Sequence, residues 1–380
     1  HLLLPALSMN SADFIKFTGL IKSLKIVLTF IFLNLIVITP SQTKLHSGEC
    51  KKAVTHIPVY TGVYKGTAVV ITGAAAKIPQ EAALLERLHR SGALNDVAII
   101  TGASSGALNS VVLNAILKGR FSWKQYKKIL FSVTNSQVFT SESNLLPANT
   151  KPLRSLVTRI VNGKLRYHKI GDLPFPTALS ATNIKIIPLK ERTFRFSNLK
   201  INEESNPNKN LVDILMASTA IPIVFPSVKL NFPDSNHPVT FIDGGVAEDV
   251  VPYKAVLEYE AYTGKKVKKM IIVSKKSGDD KDISSELNEM GIRDSKLFEN
   301  LGISLQRFSK QGFINNLKNL QKNYPDLASR TYVYIPDFDE FFSIMNFNSM
   351  REQYKISSSW AAAHQPVPLA QYLAENQEIN

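Results

Sequence analysis

Residues 97–117 read VAIITGASSGALNSVVLNAIL, and the fold follows from how this stretch divides. Val97–Thr101 is a short apolar, β-rich run with no polar alternation, the pattern of a strand buried on both faces. Ala107–Leu117 starts on small residues and continues with an apolar face, the pattern of a helix. Between them stands Gly102-Ala103-Ser104-Ser105-Gly106, a G-x-S-x-G that leaves room only for a sharp strand-to-helix turn. Such a turn holds a serine hydroxyl outward, with glycines where side chains would collide. The glycine spacing favours Ser104 over Ser105. The helix start behind the serine offers backbone N–H groups and a positive dipole end to a developing oxyanion.

Working outward, Thr67–Thr72 (TAVVIT) is a second apolar strand that stops at Gly73. The next stretch, AAAKIPQEAALLERLHRSG, reads as an amphipathic helix, with Pro79 suited to its first turn and Gly92 to its end. This β-α-β-α order implies parallel strands joined by helical crossovers. Residues 121–175 read as mainly helical. Strands are expected at Thr177–Thr182, Arg192–Phe196, Thr240–Ile242, Met270–Ser274 and Thr331–Pro336. Helices are expected at Leu211–Ala217, across Ile283–Tyr324, and at Ser349–His364. The fold class is α/β, with a mostly parallel central sheet.

The chain has 380 residues, 44% of them hydrophobic, enough to bury the core of a many-stranded sheet. Its net charge of +14 suits an anionic membrane surface better than nucleic acid, because no basic run is interleaved with aromatics and no zinc-finger spacing occurs. One cysteine, Cys50, excludes an intrachain disulfide. The N-terminus has the features of an export signal. Lys16, Lys22 and Lys25 precede the apolar run Ile26–Ile38, and Thr39-Pro40-Ser41 supplies small residues for cleavage. Met9 is the expected start, which sets His1–Ser8 outside the native chain. The expected organisation is a signal peptide over 1–41, an extension over 42–66, a catalytic domain over 67–364 and a tail over 365–380. Export is the expected localisation, with membrane anchoring through the same segment as the alternative.

A serine hydroxyl needs a neighbouring base before it can attack. Asp243 ends a strand and is followed by Gly244-Gly245, which let the backbone approach another element closely. The stretch Gly73-Ala74-Ala75-Ala76-Lys77 ends a strand and opens a helix. It lacks the glycines of a P-loop or a dinucleotide fingerprint, but a small-residue loop there can present N–H groups to an oxyanion. The histidines show no metal-ligand spacing, and nothing implies a nucleotide, flavin or haem cofactor.

Taken in order, these motifs resemble those of patatin-like phospholipases. GASSG follows a strand, DGG comes later, and a small-residue loop ending in lysine lies about thirty residues before the serine. Ser180-Ala181-Thr182 is similar to the family's central strand, LVDILMASTAIPIVFP (211–226) to its ASxAIPxxFPP segment, and DGGVAEDVVP (243–252) to its DGGxxDNxP. Ile344–Ala363 is similar to its closing helix. The resemblance implies a three-layer α/β/α fold and hydrolysis of acyl esters in phospholipids or related lipids, with a Ser–Asp dyad and no histidine. By matching position, Ser104 would be the nucleophile and Asp243 the base. Gly73, Ala74 and Ala75 N–H groups would form the oxyanion hole, supported by Lys77, Gly102, Gly106, Gly244 and Gly245.

One departure stands out. The family loop is G-G-G-x-K/R-G, whereas this chain has Gly73-Ala74-Ala75-Ala76-Lys77-Ile78. Alanine disfavours the positive φ that glycine reaches freely, so a loop needing such angles would be strained. Two alternatives stay open: an α/β-hydrolase with a Ser104–Asp243–His364 triad, and a catalytically impaired lipid-binding protein. Acyl chain, head group and oligomeric state are not legible in the sequence.

Overall fold

Strand β1 (Thr67–Ile71) sends Val69 and Ile71 into one apolar core and Ala68 and Val70 into another. A strand alternates its side chains between two faces, so two cores mean a sheet covered on both sides. The computed structural model describes residues 64–140, 147–186, 189–222, 224–232, 237–276 and 310–376. The segment read as a signal peptide, nearly all of the 42–66 extension and the first part of the helical stretch 283–324 lie outside the described residues.

The remaining strands are β2 (Val97–Ala103), β3 (Thr177–Ile186), β4 (Leu189–Ser197), β5 (Val228–Leu230), β6 (Val239–Asp243), β7 (Lys269–Val273), β8 (Thr331–Tyr334) and β9 (Val367–Pro368). They form one sheet in the order β5-β6-β3-β2-β1-β7-β8-β9, with β4 also paired to β3. The central run β3-β2-β1-β7-β8 is parallel, and β4, β5, β6 and β9 add antiparallel pairs around it.

Helices α1 (Ile78–Arg90), α2 (Ser105–Leu117), α3 (Trp123–Leu130), α4 (Asn135–Val138), α5 (Lys151–Thr158) and α6 (Leu211–Ser218) all contribute to the first core. Helices α7 (Lys254–Thr263), α8 (Lys310–Asn323) and α9 (Pro325–Ser329) cover the opposite face. Helix α10 (Met350–Ala363) returns to the first, packing on α1. This is the three-layer α/β/α arrangement expected. Among the described residues, no helix is long and apolar enough to cross a membrane.

The structure differs from the sequence reading at the C-terminus. In place of a plain tail after His364, Val367–Pro368 pairs with β8, and helix α11 (Leu369–Glu375) buries Leu369 and Leu373 in the second core. Two apolar residues four apart give too weak a periodic signal to read as a helix, and the packing supplies the rest.

Strand β3 decides where the site forms. Its residues Ile100↔Thr177 to Ala103↔Ser180 pair with β2 in parallel, so β2 ends at Ser180. From the other direction β6 pairs antiparallel and ends with Asp243↔Ala181. Two strands thus terminate head to head against consecutive residues of β3. The turn that leaves β2 must therefore lie beside the end of β6.

Candidate active site

Ser104 is the first residue beyond β2. Its backbone has φ 55° and ψ −130°, a conformation non-glycine residues rarely adopt. The turn is possible because Gly102 and Gly106 carry no Cβ. A Cβ on Gly106 would stand 2.2 Å from the Thr72 carbonyl oxygen, and one on Gly102 would stand 2.4 Å from the Gly106 carbonyl oxygen. A Cβ on Gly73 would come 2.9 Å from that of Ser104, and one on Gly244 would meet the Ser180 carbonyl oxygen at 2.1 Å. The glycines singled out in the sequence at these four places are therefore points of close backbone approach.

The last residue of α6 and the loop after it tie the two ends together. Ser218 Oγ accepts from the Ser104 N–H at 2.9 Å, and the Ala220 carbonyl accepts from the Asp243 N–H at 2.9 Å. Sequence reading matched this ASTAIP segment to a family pattern without giving Ser218 a role.

Asp243 is fully buried. Its Oδ1 accepts from the Gly245 N–H at 2.8 Å, which accounts for Gly245 in the motif, while Oδ2 has no hydrogen-bond partner among the described residues. Burial pushes the carboxyl up to about 7, opposed first by the adjacent Ser104 hydroxyl, then by the Gly245 N–H and the charge of Lys275. Ser104 is thus beside the carboxyl, short of a formed hydrogen bond. A buried acceptor left open next to a serine is what a proton-taking base needs.

A polar network absent from the sequence reading is linked to Asp243 through the charge of Lys275. Thr72 Oγ1 donates to Glu81 Oε1 at 3.1 Å and shares a 2.7 Å hydrogen bond with Ser274 Oγ. Asn109 Nδ2 donates to Glu81 Oε2 at 3.1 Å. Burial raises the Glu81 carboxyl to about 8, offset by the charge of the buried Lys275. On the far side, Arg195 holds Asp249 bidentately at 2.8 and 2.9 Å, and Ser180 Oγ donates to the same carboxylate at 2.6 Å. This pins the loop after Asp243 to β3 and β4. Apart from Thr72 and Glu81, nine positions apart, these partners are separated by 28 positions or more, beyond the reach of a local pattern.

The loop 73–77 is close to Ser104 and strained. Ala75 has φ 46°, the left-handed angle that alanine disfavours. The Ala74 N–H donates to Ser105 Oγ at 2.7 Å, so one of the three expected oxyanion donors is already engaged. The N–H groups of Gly73 and Ala75 have no acceptor among the described residues. Lys77 points its Nζ toward the Lys276 carbonyl at 3.4 Å and over the Phe341 ring at 5.7 Å.

His364 does not join the site. It is exposed at the end of α10, with Nδ1 2.7 Å from the Trp360 carbonyl oxygen and its ring stacked on Trp360 at 4.2 Å. Among the described residues no group of His, Cys, Asp and Glu is placed to hold a metal ion.

An apolar cavity of about 100 Å³ opens beside the serine. Ser104, Ala75, Val112, Leu130, Val157 and Phe225 are among its walls, with hydrocarbon on nearly every side. Such a space accepts an alkyl chain and rejects a charged group.

Comparison with known proteins agrees with the motifs. Residues 69–257 match the family model of patatin-like phospholipases. A search of curated proteins gives no match. Among solved structures, VipD from Legionella pneumophila aligns with 79% of this chain and 67% of its own, at 9% identity and a TM-score of 0.34. The stretch from Val69 to Leu257 holds Ser104, Asp243 and the loop between β1 and α1, and over it this chain carries the domain of the patatin-like phospholipases, a family of lipid ester hydrolases.

Proposed function

We propose that this protein hydrolyses acyl ester bonds of phospholipids or related lipids through Ser104 and Asp243, by way of an acyl-enzyme. The observation that carries the reading is the open, buried Asp243 Oδ2 beside Ser104, which itself stands on the wall of an apolar cavity. The Ser104 Oγ attacks the ester carbonyl as its proton passes to Asp243. The carbonyl oxygen takes up negative charge, which the Gly73 and Ala75 N–H groups and the N-terminus of α2 stabilise. Collapse expels the alcohol, a lysolipid or glycerol derivative, which recovers the proton from Asp243. Water then attacks the acyl-Ser104 ester, giving its proton to Asp243, and Ser104 leaves with that proton as the fatty acid departs. Base assistance of this kind is worth about 10²–10⁴-fold.

The test is hydrolysis of a short-chain nitrophenyl ester and of a phospholipid by the protein and three variants. Ser104→Ala and Asp243→Asn should each lose at least about 10²-fold in kcat/KM. His364→Ala should match the parent. An inactive His364→Ala protein with normal folding would sink the dyad and favour a triad.

The strained Ala75 and the engaged Ala74 N–H favour a second reading, a lipid-binding protein whose acyl transfer is slow or absent. Covalent capture of Ser104 by an organophosphonate separates the two, since a pure binder has no need of an activated serine.

A further inference from the structure

Helix α3 has two working faces. Tyr126, Ile129 and Leu130 wall the apolar cavity beside Ser104, while Lys124, Lys127 and Lys128 face a shallow outer groove. Helix α10 is divided in the same way, with Met350 on the cavity and Lys355, Ser358 and Ser359 on the groove. Phe131 and Tyr354 form the groove floor, edge to face at 5.5 Å. Arg351 lies over the Phe131 ring at 5.1 Å, and Lys127 over the Tyr354 ring at 5.5 Å.

The groove lining carries only positive charge, although Glu352 on α10 stands next to Arg351 and three residues before Lys355. Glu86 is the carboxylate that reaches this cluster, accepting Lys127 at 3.1 Å and the Tyr354 hydroxyl, and it is already engaged by Arg90. Lys124, Lys128, Lys355 and Arg351 are exposed, and none makes an ion pair with a described residue. Like charges gathered on one face repel each other unless an anion sits among them. Aromatic rings under the cations add a surface suited to the level of lipid headgroups.

We propose that the groove between α3 and α10 docks the protein on an anionic lipid bilayer, its cations holding headgroup phosphates. Docking by this face sets the helices that wall the acyl cavity directly against the membrane. The proposal deepens the lipid-hydrolase reading and rests on it for the substrate such a surface presents.

The experiment measures sedimentation of the full chain, carrying Ser104→Ala to prevent lipid turnover, with two kinds of vesicle. One is phosphatidylcholine alone; the other is phosphatidylcholine mixed with phosphatidylglycerol. Binding should require the anionic lipid and weaken with salt. Adding Lys124→Gln, Lys128→Gln and Lys355→Gln should reduce affinity on the order of 100-fold, at about fivefold per lysine near an anionic surface. Arginine at the same three positions should restore it. In the active protein the three glutamines should leave soluble-ester hydrolysis unchanged and slow hydrolysis of anionic vesicles. Equal binding to both vesicles, or no loss in the glutamine variant, overturns the proposal. So does competition by millimolar inorganic phosphate, which would make the groove a site for a soluble phosphate compound, or preference for RNA over vesicles. Because binding is read without a nucleophile, its failure leaves the acyl-transfer reading intact, and an inactive enzyme leaves the binding result standing.

Discussion

As the proposed base, Asp243 must be ionised to accept a proton, yet it is fully buried. With its carboxyl raised to about 7 by burial, activity on a soluble ester should climb as pH passes through about 7 and then level off. Lys275 lowers that value by its charge, so Lys275→Met should shift the acid limb of the kcat/KM profile to higher pH. An unmoved limb would remove Lys275 from the site's electrostatics. The same burial has a cost in stability. The folded carboxyl titrates above its unfolded value of 3.8, so the stability it contributes is complete below 3.8 and is lost as pH rises toward 7. Asp243→Asn escapes that loss. It should be more stable than the parent at pH 8 by up to a few kcal/mol, with the gap closing near pH 4, as read from urea melts at both values. Ala75, at φ 46°, carries about 1–2 kcal/mol of left-handed strain. Ala75→Gly should relax it, speeding ester hydrolysis severalfold without lowering the melting temperature.

The β2–turn–α2 unit works only if backbones touch. Gly106→Ala would press a methyl against the carbonyl oxygens of Thr72 and Ile71 at 2.2 and 2.4 Å, atoms of β1 and its extension that have nowhere to retreat. The expected loss is about 3 kcal/mol or more, or failure to fold, in equilibrium denaturation. Gly119 supplies the control. It has φ 75° but no atom within 4 Å of its missing Cβ, so Gly119→Ala should cost only about 1 kcal/mol from the angle itself. If the two variants cost the same, close approach is not what Gly106 provides.

Across the whole molecule, the site is a junction of separate parts. β3 receives the ends of β2 and β6, the end of α6 and the loop after it tie both through Ser218 and Ala220, and Arg195 from β4 anchors Asp249 in the loop after Asp243. Arg195→Met would leave Asp249 buried without its partner. Removing one member of such a pair costs about 3–5 kcal/mol. The urea midpoint should fall accordingly, and activity should drop with it as the Asp243 loop loosens. Retained stability would mean that Asp249 finds water or another cation.

Much of this was present in the chain itself. The apolar run 97–101, the G-x-S-x-G and the helix pattern after it determined strand, turn and helix, because these depend on neighbours within a few residues. The same local logic marked Ser104, whereas Asp243 and the loop 73–77 took their expected roles from the family resemblance, which also showed where alanine stands in place of glycine. Local patterns do not say which strand ends meet. That Ser104 stands beside Asp243, that Ala74 is engaged by Ser105, that the charge of Lys275 bears on both Asp243 and Glu81, and that His364 stays outside were decided only by the register of β3 and by packing. So was the role of residues 367–375, whose two buried leucines count for little until β8 and the second core are there to receive them. Short-range propensity is written residue by residue, whereas charge pairing and burial depend on contacts between residues many tens of positions apart.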